Sequence, residues 1–165
     1  MAVGLGRGCV VIERIAQVKL PVTDLVRSVP WYCELLDLRV WIEFEEDGEL
    51  RGVGLIDEEG RFCIALRDRS VCAGRPDLSG FDVVALTPSS AASLAELVSR
   101  CDRLGIAHSG IVETGSGLLL DVPDPDGTVL RFYHYTAPTD GFVGIRFVDG
   151  VEVGTYSRSR LVPAP

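Results

Sequence analysis

Two histidines, five cysteines and a group of aromatic side chains are the residues of this 165-residue chain whose chemistry stands out first. His134 adjoins Tyr133 at the end of an extended run, and His108 follows a helical one. An imidazole without a second ligand beside it is ordinarily a surface or satisfied structural group. Cys9, Cys33, Cys63, Cys72 and Cys101 are odd in number and lack C-x-x-C spacing. They read as reduced core or surface thiols, Cys33 and Cys101 in helices, and the cytoplasm is the expected compartment. Trp31, Tyr32, Trp41 and Phe44 could stack on an aromatic or conjugated ligand, or fill a core. For Tyr32, inside an apolar helical stripe, the core role is favoured; for Trp41, alternating in a strand, the two are balanced. A single tuned group suffices for acid-base work, and Asp82, His134 and Tyr133 are candidates for it.

The bulk of the chain bounds these options. Hydrophobic residues make up 47% and charged residues 24%, enough apolar material for one compact domain with a sizeable core. The net charge of -8 argues against a nucleic-acid partner, which draws on a basic surface. The opening Met1-Ala2-Val3-Gly4-Leu5-Gly6-Arg7-Gly8 has no long apolar run of the signal-peptide kind, and no segment reaches membrane-spanning length. A membrane partner is therefore not expected.

The elements that must position these residues come in two matching sets. Residues 15–22 alternate into a strand, Asp24 to Leu36 suits a helix, and extended runs follow at 39–46, 50–57 and 61–67. The order then repeats: a strand at 81–86, a helix at 90–104, and strands at 106–113, 117–122 and 128–135. The turns before the two last strands also match, Glu58-Glu59-Gly60 against Asp124-Pro125-Asp126-Gly127. Each β-α-β-β-β unit has an apolar sheet face that it cannot bury alone, so the two must pair.

Thr23-Asp24 supplies side chains that can accept the free N–H groups opening the first helix. Pro30 then leaves two options: the helix proper starts there, or a short turn precedes it. The second helix starts after Ser89-Ser90 and ends at Gly105. The chain thus divides into a single domain over 1–135 made of modules at 14–68 and 80–135, a turn-rich linker at 69–79, and a C-terminal extension at 136–165. Within that extension Phe142–Phe147 and Val151–Tyr156 can pair as a hairpin about Asp149-Gly150, a dipeptide that favours a type I′ turn.

The run from Gln17 to Tyr32, Gln-Val-Lys-Leu-Pro-Val-Thr-Asp-Leu-Val-Arg-Ser-Val-Pro-Trp-Tyr, resembles the opening of vicinal oxygen chelate proteins. The closing Asp124-Pro125-Asp126-Gly127 turn with its strand to Tyr133 resembles them too. That superfamily includes glyoxalase I, bleomycin-resistance proteins, fosfomycin-resistance enzymes and extradiol dioxygenases, and the likeness spans roughly Arg14 to Tyr135. It implies an α+β fold of two tandem β-α-β-β-β modules forming a half-barrel around a ligand cavity, with a homodimer as the expected assembly. In metal-dependent relatives, first and last strands offer inward His, Gln or Glu to one divalent ion. Carried onto this chain, those positions are Gln17, Asp82, Arg131 and Ile64, or a residue within one or two places of Ile64, where the strand aligns less firmly.

This set reads poorly as a metal site. Arginine is permanently protonated and has no lone pair to donate. At 4 Å a guanidinium would repel a divalent ion by about 8 kcal/mol at an effective dielectric near 20. The expectation is therefore no metal cofactor, with Arg131 reaching Asp82, and Gln17 or Lys19 as further partners. The alternative is an Arg131 that points to solvent through a one-residue slip. By strand alternation the expected cavity lining is Gln17, Lys19, Trp41, Ile64, Asp82, Val84, Arg131 and Tyr133. Two functions follow as expectations: a binder of a small organic molecule, as the drug-binding members of the superfamily are, or a lyase, isomerase or dioxygenase, metal-dependent or metal-free.

Overall fold

A computed structural model of the chain describes residues 12–138 and 141–161. The first module runs β1 (Val18–Val22), α1 (Leu25–Leu36), β2 (Arg39–Glu46), β3 (Glu49–Ile56) and β4 (Cys63–Asp68). The second runs β5 (Val84–Leu86), α2 (Ala91–Leu104), β6 (Val112–Thr114), β7 (Gly117–Pro123) and β8 (Val129–Tyr135). Each makes a four-stranded sheet, ordered β1-β4-β3-β2 and β5-β8-β7-β6, so the second module repeats the topology of the first. In both, the first strand lies parallel to the last and the hairpin strands are antiparallel. The paired βαβββ arrangement expected from the repeat is what the chain forms.

The helices start and stop for local reasons. Asp24 caps α1, its carboxylate accepting from the Arg27 N–H, and Ser90 caps α2 by accepting from the Ser93 N–H. α1 ends at Asp37 and α2 at Gly105, both left-handed. Pro30 lies inside α1, which is helical from Leu25 onward. Neither a start at Pro30 nor a preliminary turn describes it: the Asp24 cap fixes the first turn and the helix runs on through the proline.

The helix-facing side of both sheets merges into one core. Leu20, Val22, Leu55 and Leu66 from the first module pack in one cluster with Leu94, Leu120, Leu130 and Phe132 from the second. That common core is the burial neither module could achieve alone. The opposite sides are the open faces. The C-terminal extension forms β9 (Gly144–Val148) and β10 (Val151–Tyr156), an antiparallel hairpin turning at Asp149 and Gly150. Their φ values of 49° and 77° give the two left-handed residues that a type I′ turn requires.

Three strands differ from the sequence expectation. β5 begins only at Val84, because Phe81 is held in a turn by Leu78 and its carbonyl accepts the Val129 N–H. β6 is confined to Val112–Thr114, since residues before it bond elsewhere: Ile106 N–H to the Cys101 carbonyl and Ser109 N–H to the Asp121 carbonyl. β1 is likewise shorter, with Gln17 just before its first residue and exposed.

Candidate functional site: the open faces of the two sheets

On the second module, β8 carries Arg131 and Tyr133 on the open face and Leu130 and Phe132 in the core, as strand alternation requires. Arg131 does face Asp82, and its Nη1 forms an ion pair with the Asp82 carboxylate. Its stronger hold is a carboxylate the sequence reading missed. Nε and Nη2 each donate to Asp121 at 2.9 Å, a bidentate fork on the residue directly across β7. Asp121 first, then Asp82, raise the guanidinium further above its ordinary range. Neither Gln17 nor Lys19 bonds to it among the described residues.

Beside this cluster, the Tyr133 hydroxyl lies 2.6 Å from the Thr114 hydroxyl and 2.7 Å from that of Ser116. Its ring lies 4.5 Å from that of Tyr135. The open face of the second module therefore combines a charged triad with a hydroxyl-held aromatic wall.

The first module's open face is built differently. Gly52, Gly54 and Ala65 make a low floor, and β2 supplies the wall: a Cβ on Gly54 would stand 2.8 Å from Ile42 and 3.7 Å from the Trp41 ring, and one on Gly52 3.5 Å from Phe44. Lys19, Phe44, Glu46 and Arg67 enclose a depression of about 290 Å³ over Ala65. Arg67 donates to Glu46 at 2.7 Å. Trp41 is 57% exposed, as the ligand-stacking alternative requires of it.

Two expected lining residues are not on these faces. Ile64 is 1% exposed and lies in the core; it pairs with Val18 just as Leu130 pairs with Val84. Ala65 holds the place in the first module that Arg131 holds in the second. Val84 also packs against the core, and Ala85 stands opposite Arg131. The alternation counted from Asp82 fails because residues 81–83 are not yet strand. His134 pairs with Leu118 on the side of the sheet away from Arg131, so it cannot act together with Asp82 and Tyr133. His108 is held by Asp102 at 3.1 Å and by the Gly110 N–H at 3.0 Å, a structural role.

A divalent ion does not suit the residues gathered here. The Gln17, Ile64, Asp82 and Arg131 set supplies one convergent carboxylate and one fixed cation, and Ile64 is directed into the core. Among the described residues no cluster of three or more His, Cys, Asp or Glu side chains could hold a metal.

Solved structures share this architecture. The chain has the fold of the glyoxalase/bleomycin resistance protein/dioxygenase superfamily. A domain of that description from Frankia sp. EAN1pec is 24% identical over 79% of this chain and 96% of its own, with a TM-score of 0.65. TnmS3, an antibiotic binding protein from Streptomyces sp. CB03234, is 18% identical over 78% of this chain and 100% of its own, with a TM-score of 0.64. The fosfomycin resistance protein FosX from Listeria monocytogenes is 14% identical over 76% and 96%, with a TM-score of 0.60. No family model matches the chain, and no curated protein does.

Proposed function

We propose that this protein binds a small aromatic or conjugated organic molecule on the open sheet faces, directly and without a divalent metal. The observation that carries the reading is Arg131, whose guanidinium fills the space between Asp82 and Asp121. A cation bonded to both carboxylates competes with any metal for them and sets a polar anchor beside the Tyr133–Tyr135 wall. Pockets for organic ligands commonly join apolar walls to a few convergent polar groups. Tyr133 and Tyr135 on one module, and Trp41 and Phe44 on the other, offer flat rings for stacking. The antibiotic-binding description of TnmS3 supports a drug-like or antibiotic ligand. A homodimer would give each face a partner, and the described cysteines, all free thiols, suit the reducing cytoplasm.

The test has two arms. Purified protein should carry no stoichiometric iron, zinc, nickel or manganese, whereas Arg131→Glu, which gathers three carboxylates, should gain affinity for Mn2+ in a calorimetric titration. A panel of aromatic antibiotics should raise the melting temperature through mass action on the folded state, and Tyr133→Ala should abolish the shift. Native metal required for an activity, or no ligand-induced shift across the panel, would overturn the reading.

A further inference from the structure

The duplication is broken at one place, and the break leaves a cavity. Where the first module's strand-to-helix junction meets the second module's β7–β8 turn, the chain closes on itself. The Asp126 carboxylate accepts from the Thr23 N–H at 2.9 Å, from the Thr23 hydroxyl, and from Arg27 Nη2 at 3.0 Å. The Tyr32 hydroxyl donates to buried Asp124 at 2.8 Å and seals the contact.

The matching junction is that of β5 and α2 with the β3–β4 turn. Counted from the caps Asp24 and Ser90, Thr23 corresponds to Ser89, Arg27 to Ser93 and Tyr32 to Val98. Counted from Asp124 and Asp57, Asp126 corresponds to Glu59. Two of the replacements remove a tie, those of Arg27 and Tyr32, while Ser89 keeps the hydroxyl of Thr23. Two hydroxyls and a smaller apolar side chain stand where Thr23, Arg27 and Tyr32 stand on the closed side. Glu59 turns to Arg61 at 3.5 Å, and Asp57 takes Arg61 at 2.8 Å in place of a phenol. The turn is also one residue longer, with Phe62 N–H bonding back five positions where Thr128 N–H bonds back four.

The result is an open cleft of about 800 Å³ between the modules. Its apolar surface comes from Leu36, Phe62, Leu86 and Leu97; Ser89, Ser93, Arg61 and Arg100 stand on it as donors, and of its two lining carboxylates Asp37 is held by Arg100 and Glu96 by Arg103. The closed junction shows what such a place accepts: a carboxylate, with apolar surface behind it.

We infer that the inter-module cleft is a second binding site, separate from the open faces, for a small amphipathic carboxylate. Its carboxylate would lie by Ser89 and Ser93, as Asp126 lies by Thr23 and Arg27, and its apolar body on Phe62, Leu86 and Leu97. This goes beyond the proposed function and does not depend on it.

The probe is 2-naphthoate, titrated into the full chain by calorimetry and followed in 1H–15N spectra, with neutral 2-naphthamide as the comparison. Naphthoate should shift the Ser89, Ser93 and Leu97 amides, and the amide should bind about tenfold more weakly, the worth of a charge-assisted hydrogen bond. Ser93→Glu sets a fixed carboxylate where the ligand's would lie, and Leu97→Trp fills the cleft. Both should weaken naphthoate about tenfold or more with the melting temperature kept. Equal binding of acid and amide, shifts confined to residues of the open faces such as Tyr133, or undiminished binding in both variants would overturn the inference. So would no binding at all.

Discussion

Arg131 illustrates what a single residue type reveals and what it hides. Its charge and position point to Asp82, since a fixed cation on a partly buried face needs a carboxylate. Asp121 was not found, although a signal existed: the Asp124–Gly127 hairpin sets Pro123 opposite Val129 and therefore Asp121 opposite Arg131. Register, rather than composition, holds that information. Tyr32 was read correctly as a core aromatic, but its polar partner was invisible, because Asp124 is 92 residues away. That pair is testable. Burial pushes Asp124 above the usual carboxylate range, and the Tyr32 bond opposes that rise. Tyr32→Phe should cost about 1–3 kcal/mol in denaturant unfolding, since it leaves a buried carboxylate short of a donor. A carboxylate whose folded pKa is raised contributes stability below its unfolded pKa and loses it as pH rises through the folded one. Asp124→Asn removes that titration, so the wild type should lose stability relative to the variant between acid and neutral pH. A difference independent of pH would show that the Asp124 carboxyl has the same pKa folded and unfolded, against a burial-raised one.

At the level of elements, the repeat was readable because both helices carry caps and both sheets alternate, and strands β2, β3, β4, β7 and β8 fall within a residue or two of expectation. The departures have local causes. Phe81 and Ser109 spend their backbone bonds outside a ladder, which shortens β5 and delays β6. Misplacing Val84 follows from the first of these. The place expected at or within two residues of Ile64 falls on Ala65, one residue on, because the turn before that strand is one residue longer than its counterpart. Pro30 in α1 is the clearest local conflict with a regular element: it lacks an N–H for the helix ladder and is exposed. Pro30→Ala should restore that bond and raise stability by about 1 kcal/mol, less than the full interior proline penalty, because alanine also frees the unfolded chain. Thermal unfolding would read this; an unchanged or lower melting temperature would show that the proline ring is instead stabilising the helix.

At the scale of the whole molecule, two similar modules are joined by dissimilar junctions. One is latched by Asp126 and the other gapes, although the sheets, helices and shared core follow the same plan. Asp126→Ala removes the acceptor of three hydrogen bonds at a partly exposed site and should lower stability by about 1–2 kcal/mol. A loss confined to that junction in hydrogen exchange, with the core amides unchanged, would mark the latch as local; a loss spread evenly over both modules would show that it supports the whole fold. None of this asymmetry was foreseen from sequence, because serines at 89 and 93 are ordinary helix-start residues and only the paired module shows what they replace.

Lys19 has one more consequence. It is the sole lysine of the chain, and it stands at the rim of the depression on the first sheet. An amine-reactive dye will therefore tag one side chain apart from the amino terminus, and fluorescence from that spot can report directly whether anything has settled against the Phe44 wall.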